Sequence, residues 1–128
     1  MARFKRDPAT TPQASELQIA EVVTDGWRCL RLAGEVDMAS VPLLLEALSE
    51  ARSKHGASGV EVDLREVTFI DSTGVRALIS IDELCREAGT PWRIAYASGP
   101  VRRVLRIAGI LDRLPLEAAD VPANGSAL

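Results

Sequence analysis

Two short polar segments of the sequence contain side chains that could do chemistry. The first, DSTG at residues 71–74, follows the apolar run GVEVDLREVTFI, and the second, EVDMAS at residues 35–40, follows the run WRCLRLAG. A hydroxyl at the junction of a strand and a helix can be a nucleophile, can accept a phosphate, or can cap the helix. Carboxylates at such positions can bind a cation. Each of these functions makes a different demand on the rest of the chain.

A serine nucleophile at residue 72 would need a neighbouring base, usually a histidine that a third group orients. The single histidine, His55, lies in RSKHGASG, where a predicted helix ends in a loop. A histidine there is more simply a cation near a helix C-terminus. The sequence also lacks a P-loop for the phosphates of ATP. We therefore expect no enzymatic activity, and a serine-nucleophile enzyme is a distant alternative.

Glu35, Asp37 and Asp71 fall near the ends of predicted strands, where they could gather Mg²⁺ as in an aspartyl-phosphate receiver. Receivers of that kind also keep a lysine after a late strand. The two lysines of this chain, Lys5 and Lys54, are both elsewhere. The sequence therefore predicts no metal site and no cofactor.

Acceptance of a phosphate at Ser72 meets no such obstacle. The N-terminus of a helix presents free N–H groups and a partial positive charge, so it tolerates an added anion. Phosphoserine carries about −1.5 to −2 charges at pH 7, which beside Asp71 would repel a docked partner. Capping by Ser72 or Asp71 is the alternative, but it does not explain Gly74, which costs the first turn about 1 kcal/mol relative to alanine. Close approach of a partner or a phosphate would explain that glycine.

The hydrophobic pattern predicts the elements that position these segments. LQIAEVV and WRCLRLAG flank Thr24-Asp25-Gly26 and predict a β-hairpin. SVPLLLEALSEARSK has a helical period with Ser40 placed to cap it, whereas GVEVDLREVTFI and WRIAYA are typical of strands. Helices are predicted from about Thr73 to Ala88 and after Gly99-Pro100, and DRLPLEAA predicts a short edge strand. The predicted fold is α/β, a mixed and mostly parallel sheet of four to five strands with an N-terminal hairpin and about three covering helices.

The helix after Ser72 has one apolar arc wide enough to cover a sheet, formed by Ala77, Leu78, Ile81, Leu84, Cys85 and Ala88. Val75 and Ile79 fall outside that arc, one turn apart. Two exposed apolar side chains are ordinary on a protein surface. Because they lie next to Ser72, they also support a second interpretation, in which they form the apolar centre of a partner-docking patch with Arg76 on its rim.

The composition fits one domain of 128 residues, with a flexible leader at 1–15, a domain at 16–118 and a flexible tail at 119–128. A net charge of −3 and an aromatic content of 4% argue against direct nucleic-acid binding. The arginines near the third helix, Arg102, Arg103, Arg106 and Arg113, are expected on a solvated face.

Neither a membrane span nor a signal peptide is predicted, since no apolar run approaches the roughly 20 residues that a span requires. A cytoplasmic location is therefore expected. Cys29 and Cys85 lie far apart in apolar surroundings, where they are predicted to be reduced core thiols.

Three segments together resemble STAS domains, in particular the bacterial anti-sigma factor antagonists, or anti-anti-sigma factors. They are FIDSTGVRALI, LAGEVDMASVPLLLEAL and WRIAYASGPVRRVLRIAGI, and the resemblance extends from about Leu17 to Leu116. It implies a STAS fold that acts by binding and not by catalysis. It also implies that Ser72, or as a second choice Thr73, accepts a phosphate from an anti-sigma factor that is a serine kinase.

By the same resemblance, the unphosphorylated protein binds the anti-sigma factor and frees the sigma factor, and a serine phosphatase reverses the modification. ATP and Mg²⁺ would belong to the kinase. The expected partner-binding residues are Glu35, Asp37, Ser40, Asp71, Thr73, Gly74, Val75, Arg76 and Ile79. An alternative is a STAS subunit of a stress-signalling scaffold or a lipid-transport complex that acts by docking alone. Family members often end in a further helix, which LEAADVPANGSAL is too short and too broken to predict.

Overall fold

The hairpin that opens the fold consists of β1 (Leu17–Thr24) and β2 (Trp27–Val36), which pair antiparallel. A computed structural model describes residues 16–54 and 57–116 of the chain. Asp25 and Gly26 connect the two strands with positive φ angles of 51° and 85°. A two-residue type I′ turn requires positive φ at both positions, which accounts for the Asp-Gly pair. The predicted hairpin is confirmed.

The sheet continues in parallel with β3 (Gly59–Ile70) and β4 (Trp92–Ala97), in the order β1-β2-β3-β4. Helix α1 (Val41–Ser53) connects β2 to β3, α2 (Ser72–Ala88) connects β3 to β4, and α3 (Gly99–Ile107) follows β4. Parallel neighbours need such crossover connections because a tight hairpin cannot join them. The predicted α/β fold, with its mixed sheet and three helices, is confirmed.

One contiguous core lies between the sheet and the helices. Leu30, Val62 and Ile94 lie in register on β2, β3 and β4, and all three are fully buried. Helices α1 and α2 contact each other, as expected when successive right-handed crossovers place both helices on one face of a sheet. The helices add further buried side chains, namely Leu44, Leu48, Leu78, Ile81, Val101 and Leu105.

The chain after α3 differs from the prediction. The proposed short edge strand is reduced to one parallel bridge between Ile94 and Leu116. Helix α3 ends at Ile107, and Ala108, which follows it, is exposed. The predicted leader, His55 and the predicted tail lie outside the described residues. In the part of the chain that is described, no helix is both long and apolar enough to cross a bilayer.

Candidate functional site

The two polar segments lie side by side at one edge of the sheet. β2 ends at Val36 and β3 ends at Ile70, and these two residues are paired. The Asp71 N–H donates to the Val36 carbonyl oxygen over 3.3 Å. Because both parallel strands end here, the chain that follows them forms one surface, which we call the carboxyl edge (residues 35–40 and 69–76). The structure therefore brings together the residues that the sequence singled out.

Asp71 caps α2. Its Oδ1 accepts a hydrogen bond from the Gly74 N–H over 3.0 Å, and its carbonyl oxygen accepts one from the Val75 N–H over 2.9 Å. These are the hydrogen bonds of an N-cap aspartate. Ser72 is the first helical residue, one position earlier than predicted, and it is exposed. Capping therefore belongs to Asp71, and the Ser72 hydroxyl is available for other chemistry.

The side chains of Asp37 and Ser40 fix the loop that follows β2. Asp37 Oδ1 accepts hydrogen bonds from the N–H groups of Ala39 (3.0 Å) and Ser40 (3.1 Å). Ser40 Oγ accepts one from the Asp37 N–H and donates one to the Glu35 carbonyl oxygen, both over 2.9 Å. Both side chains are buried. The expectation that the Ser40 side chain caps α1 is wrong, because its hydroxyl is used within the loop.

Gly74 is explained by packing inside the molecule. A Cβ atom at this position would lie 2.7 Å from the Val36 carbonyl oxygen and 2.6 Å from Ile70 Cγ1. Real Cβ atoms essentially never come this close, so a side chain here would push α2 away from the ends of β2 and β3. Gly74 was expected to let a partner or a phosphate come close. In the structure it lets the protein's own backbone come close instead.

Val75 lies in the core, so its expected place on an exposed docking patch is wrong. It is only 8% exposed and belongs to the buried cluster, while Ile79 is partly buried against that cluster. Helix α2 contacts α1 as well as β3, so its buried side is broader than that of a helix on one flat sheet. The buried side of α2 therefore includes Val75. It does not include Leu84 and Ala88, which the helical pattern placed in the apolar arc and which are exposed.

The exposed side chains of the carboxyl edge include Met38, Phe69, Ser72 and Arg76. Met38 is 74% exposed and Phe69 is 46% exposed, and sequence reasoning selected neither. The available signals were a methionine inside a polar loop, and the phenylalanine of the pair Thr68-Phe69, which interrupts the apolar pattern of β3. The other predicted residues with some exposure are half-buried, namely Glu35, Asp71, Thr73 and Ile79.

Two of the three carboxylates of the carboxyl edge hold the backbone in place. Asp37 and Asp71 each accept hydrogen bonds from backbone N–H groups, as described above. Within residues 16–54 and 57–116, no three side chains of the metal-binding types are grouped to hold an ion. The edge therefore presents an exposed hydroxyl at a helix N-terminus, together with an exposed arginine and two exposed apolar side chains.

Known proteins resemble this chain in sequence and in fold. A Listeria monocytogenes protein named anti-sigma-B factor antagonist is 27% identical over 95 residues, which cover 74% of this chain and 82% of that protein. The structure of an anti-sigma factor antagonist from Mycobacterium paratuberculosis superposes with a TM-score of 0.70 at 24% identity, covering 82% of this chain and 88% of that one. Unphosphorylated SpoIIAA, also an anti-sigma factor antagonist, superposes with a TM-score of 0.62 at 22% identity, covering 85% and 93%.

The family assignment rests on more than these pairs. The family model for the STAS domain matches residues 18–120, which include all of the sheet except Leu17, all three helices and the carboxyl edge. The three segments on which the sequence resemblance was based all lie within this range. This chain belongs to the STAS domain family.

Proposed function

We propose that this STAS domain is an anti-sigma factor antagonist, and that its binding is switched off by phosphorylation of Ser72. The observation that carries the proposal is the division of roles at the start of α2, where Asp71 makes the cap and the Ser72 hydroxyl is exposed. Similar proteins named anti-sigma-B and anti-sigma F factor antagonists support the same function. The unphosphorylated protein binds an anti-sigma factor in the cytoplasm, and the sigma factor is released.

The chemistry of the switch is a phosphoryl transfer that the partner performs. The anti-sigma factor is a serine kinase that holds ATP and Mg²⁺, and it transfers the γ-phosphoryl group to Ser72 Oγ. The bond to the bridging oxygen of ADP breaks, and the hydroxyl proton passes to a base of the kinase. A serine phosphatase hydrolyses the phosphate and restores the hydroxyl. This chain contributes the acceptor and its position.

Docking uses the exposed part of the carboxyl edge. Met38 and Phe69 supply apolar contact area on the same carboxyl edge as Ser72, and exposed apolar side chains of this size are typical anchors of protein interfaces. Glu35 and Thr73 lie half-buried beside them. A phosphate in the middle of this surface places up to two negative charges where the partner must dock, so the complex dissociates.

Co-expression with the serine-kinase anti-sigma factors of the source organism tests the proposal. Mass spectrometry of the purified protein should find one phosphate, on Ser72, and none in the Ser72→Ala variant. That variant should unfold at the same urea concentration as the wild type because Asp71 retains the cap. The Ser72→Asp variant should bind these partners less tightly than the wild type.

Two outcomes would overturn the proposal. A phosphate found on Thr73 or elsewhere, and never on Ser72, removes the acceptor assignment. Equal binding of the wild type and of Ser72→Asp would instead favour a STAS subunit that acts by docking alone.

A further inference from the structure

Arg76 lies one helical turn after Ser72 on the same side of α2. Side chains four positions apart on a helix have Cβ atoms about 5–6 Å from each other, within reach of an arginine side chain. Both residues are exposed, and both belong to the carboxyl edge. The buried residues of α2, including Leu78 and Cys85, lie on the opposite side of the helix.

The same helix already contains one ion pair with this spacing. Asp82 Oδ2 and Arg86 Nε are 3.1 Å apart, four residues from each other, with the acid on the N-terminal side. Ser72 and Arg76 repeat that arrangement ten residues earlier, except that the first position is a serine. Phosphorylation would turn this position into an anion, and an acid that precedes its base is the favourable order along a helix.

Arg76 has no other anion within reach on its own helix. The residues three and four positions away from it are Ser72, Thr73, Ile79 and Ser80, and none is acidic. It forms no ion pair with any residue in the described ranges. The neighbouring carboxylates of Asp37 and Asp71 accept backbone hydrogen bonds. Among the described residues, its guanidinium therefore has no ion-pair partner before Ser72 is phosphorylated.

We propose that Arg76 binds the phosphate of Ser72 as an i, i+4 ion pair, so that phosphorylation also removes a free cation from the docking surface. The inference rests on the proposed phosphorylation of Ser72. Phosphorylation then weakens binding in two ways. The partner meets a new anion, and the Arg76 guanidinium is no longer available to acidic groups of the partner. The positive end of α2 favours the same position of the phosphate.

A titration of the phosphate itself tests this pairing. Phosphoserine is incorporated at residue 72 by genetic encoding, so that no kinase is needed, and the second pKa of the phosphate is measured by ³¹P NMR. A nearby cation favours the dianion and lowers this pKa from its usual value of about 6. The Arg76→Gln variant should therefore raise the pKa by about 0.3. Arg76→Lys should restore part of the difference because it keeps the charge.

Arg86→Gln is the matched control, since Arg86 lies on the same helix but is paired with Asp82. It should leave the phosphate pKa unchanged. An unchanged pKa in Arg76→Gln would overturn the pairing, and so would an equal rise in Arg86→Gln, which would indicate a general charge effect. Either result would leave the phosphorylation of Ser72 itself standing. Conversely, failure of every kinase to modify Ser72 would refute the proposed function without changing the titration of the encoded phosphoserine.

Discussion

Neighbouring residues at the start of α2 have separate physical roles. The Asp71 carboxylate satisfies a backbone N–H group that the helix would otherwise leave unpaired. Ser72 makes no part of that cap, so its hydroxyl can be modified while the helix start stays intact. A fixed cap beside a modifiable hydroxyl is suited to a switch that changes the charge of the surface and preserves the fold.

Val75 and Met38 provide a residue-scale test of which apolar side chains belong to the core. Val75→Asp places a carboxylate in the buried cluster, so we expect it to lower the free energy of unfolding by about 3 kcal/mol. Met38→Asp changes a side chain that is 74% exposed, and its stability should stay within about 0.5 kcal/mol of the wild type. Urea denaturation measures both values.

The two variants should also differ in partner binding. Met38→Asp should weaken binding of the anti-sigma factor about tenfold while the protein remains folded, because it removes an apolar anchor of the docking surface. Val75→Asp with wild-type stability would contradict the core position of Val75. Unchanged affinity of Met38→Asp would remove Met38 from the proposed interface.

At the scale of secondary-structure elements, Gly74 fixes the distance between α2 and the end of β2. A Cβ added to it would overlap the carbonyl oxygen of Val36, directly before the loop that Asp37 and Ser40 hold in shape. This approach and the hydrogen bond from the Asp71 N–H to the Val36 carbonyl oxygen together position the two segments of the carboxyl edge. A change at Gly74 should alter the loop as well as the helix.

We expect Gly74→Ala to destabilise the protein by about 1–3 kcal/mol, because the added methyl group overlaps Val36 and Ile70. Alanine is the better helix former by about 1 kcal/mol, so propensity alone predicts the opposite sign. Gly99→Ala is the matched control, since no atom lies within 4 Å of its added Cβ. That variant should be as stable as the wild type or slightly more stable, as thermal denaturation can show. A stabilised Gly74→Ala variant would contradict the close packing.

The bounds of β3 and β4 could be predicted from the sequence because local signals determine them. Each is an apolar, largely β-branched or aromatic run between turn residues, and both strands have the predicted ends. The orientation of α2 could not be predicted, since it depends on contacts with α1 that are distant in sequence.

The burial of Asp82 could not be predicted for the same reason. It is buried because Trp92 Nε1 donates to its Oδ1 over 3.0 Å, a partner that a helical pattern does not reveal.

The residues of the site could be predicted more completely than their roles. The segments around Asp37 and Ser72 were identified by their residue types at strand ends, and they do lie together. Their burial depends on the loop geometry and on the approach of Gly74 to Val36, which become visible only in three dimensions. Met38 was not selected because a single apolar residue in a polar loop is not part of any helical or strand periodicity.

At the scale of the whole molecule, two arginines of the sheet, Arg65 and Arg93, are already paired. Arg65 lies 4.0 Å from the centroid of the Tyr96 ring and forms an ion pair with Asp63. Arg93 lies 3.9 Å from the Trp27 ring and also contacts a carboxylate. With a net charge of −3, the chain as a whole has no excess of positive charge to attract nucleic acid. A protein partner fits this charge distribution better.

The reactivity of the two cysteine thiols depends on whether the whole protein is folded. Cys29 and Cys85 are free and buried, as predicted. Burial raises the pKa of the Cys29 thiol to about 12, with Glu61 adding to the effect, and burial also raises the pKa of Cys85. A thiol reagent such as DTNB at pH 8 should therefore label neither cysteine in the folded protein and both after unfolding in urea. Rapid labelling of the native protein would contradict the burial of these side chains.

The raised thiol pKa values also set the sign of a pH effect. The unfolded chain loses these protons at a lower pH than the folded chain, so the contribution to stability is complete below the unfolded thiol pKa. It is lost progressively as the pH rises from there toward about 12. Urea midpoints measured between pH 7 and strongly alkaline pH should therefore fall with rising pH, and substitution of both cysteines by alanine should reduce that fall.

The most direct test of the central claim is the affinity of the anti-sigma factor for this protein with and without a phosphate on Ser72. Isothermal titration calorimetry can compare the unmodified protein with protein that carries genetically encoded phosphoserine at this position. Repulsion across the docking surface predicts a Kd that is larger by roughly 100-fold for the phosphorylated form. Equal Kd values for the two forms would contradict the account.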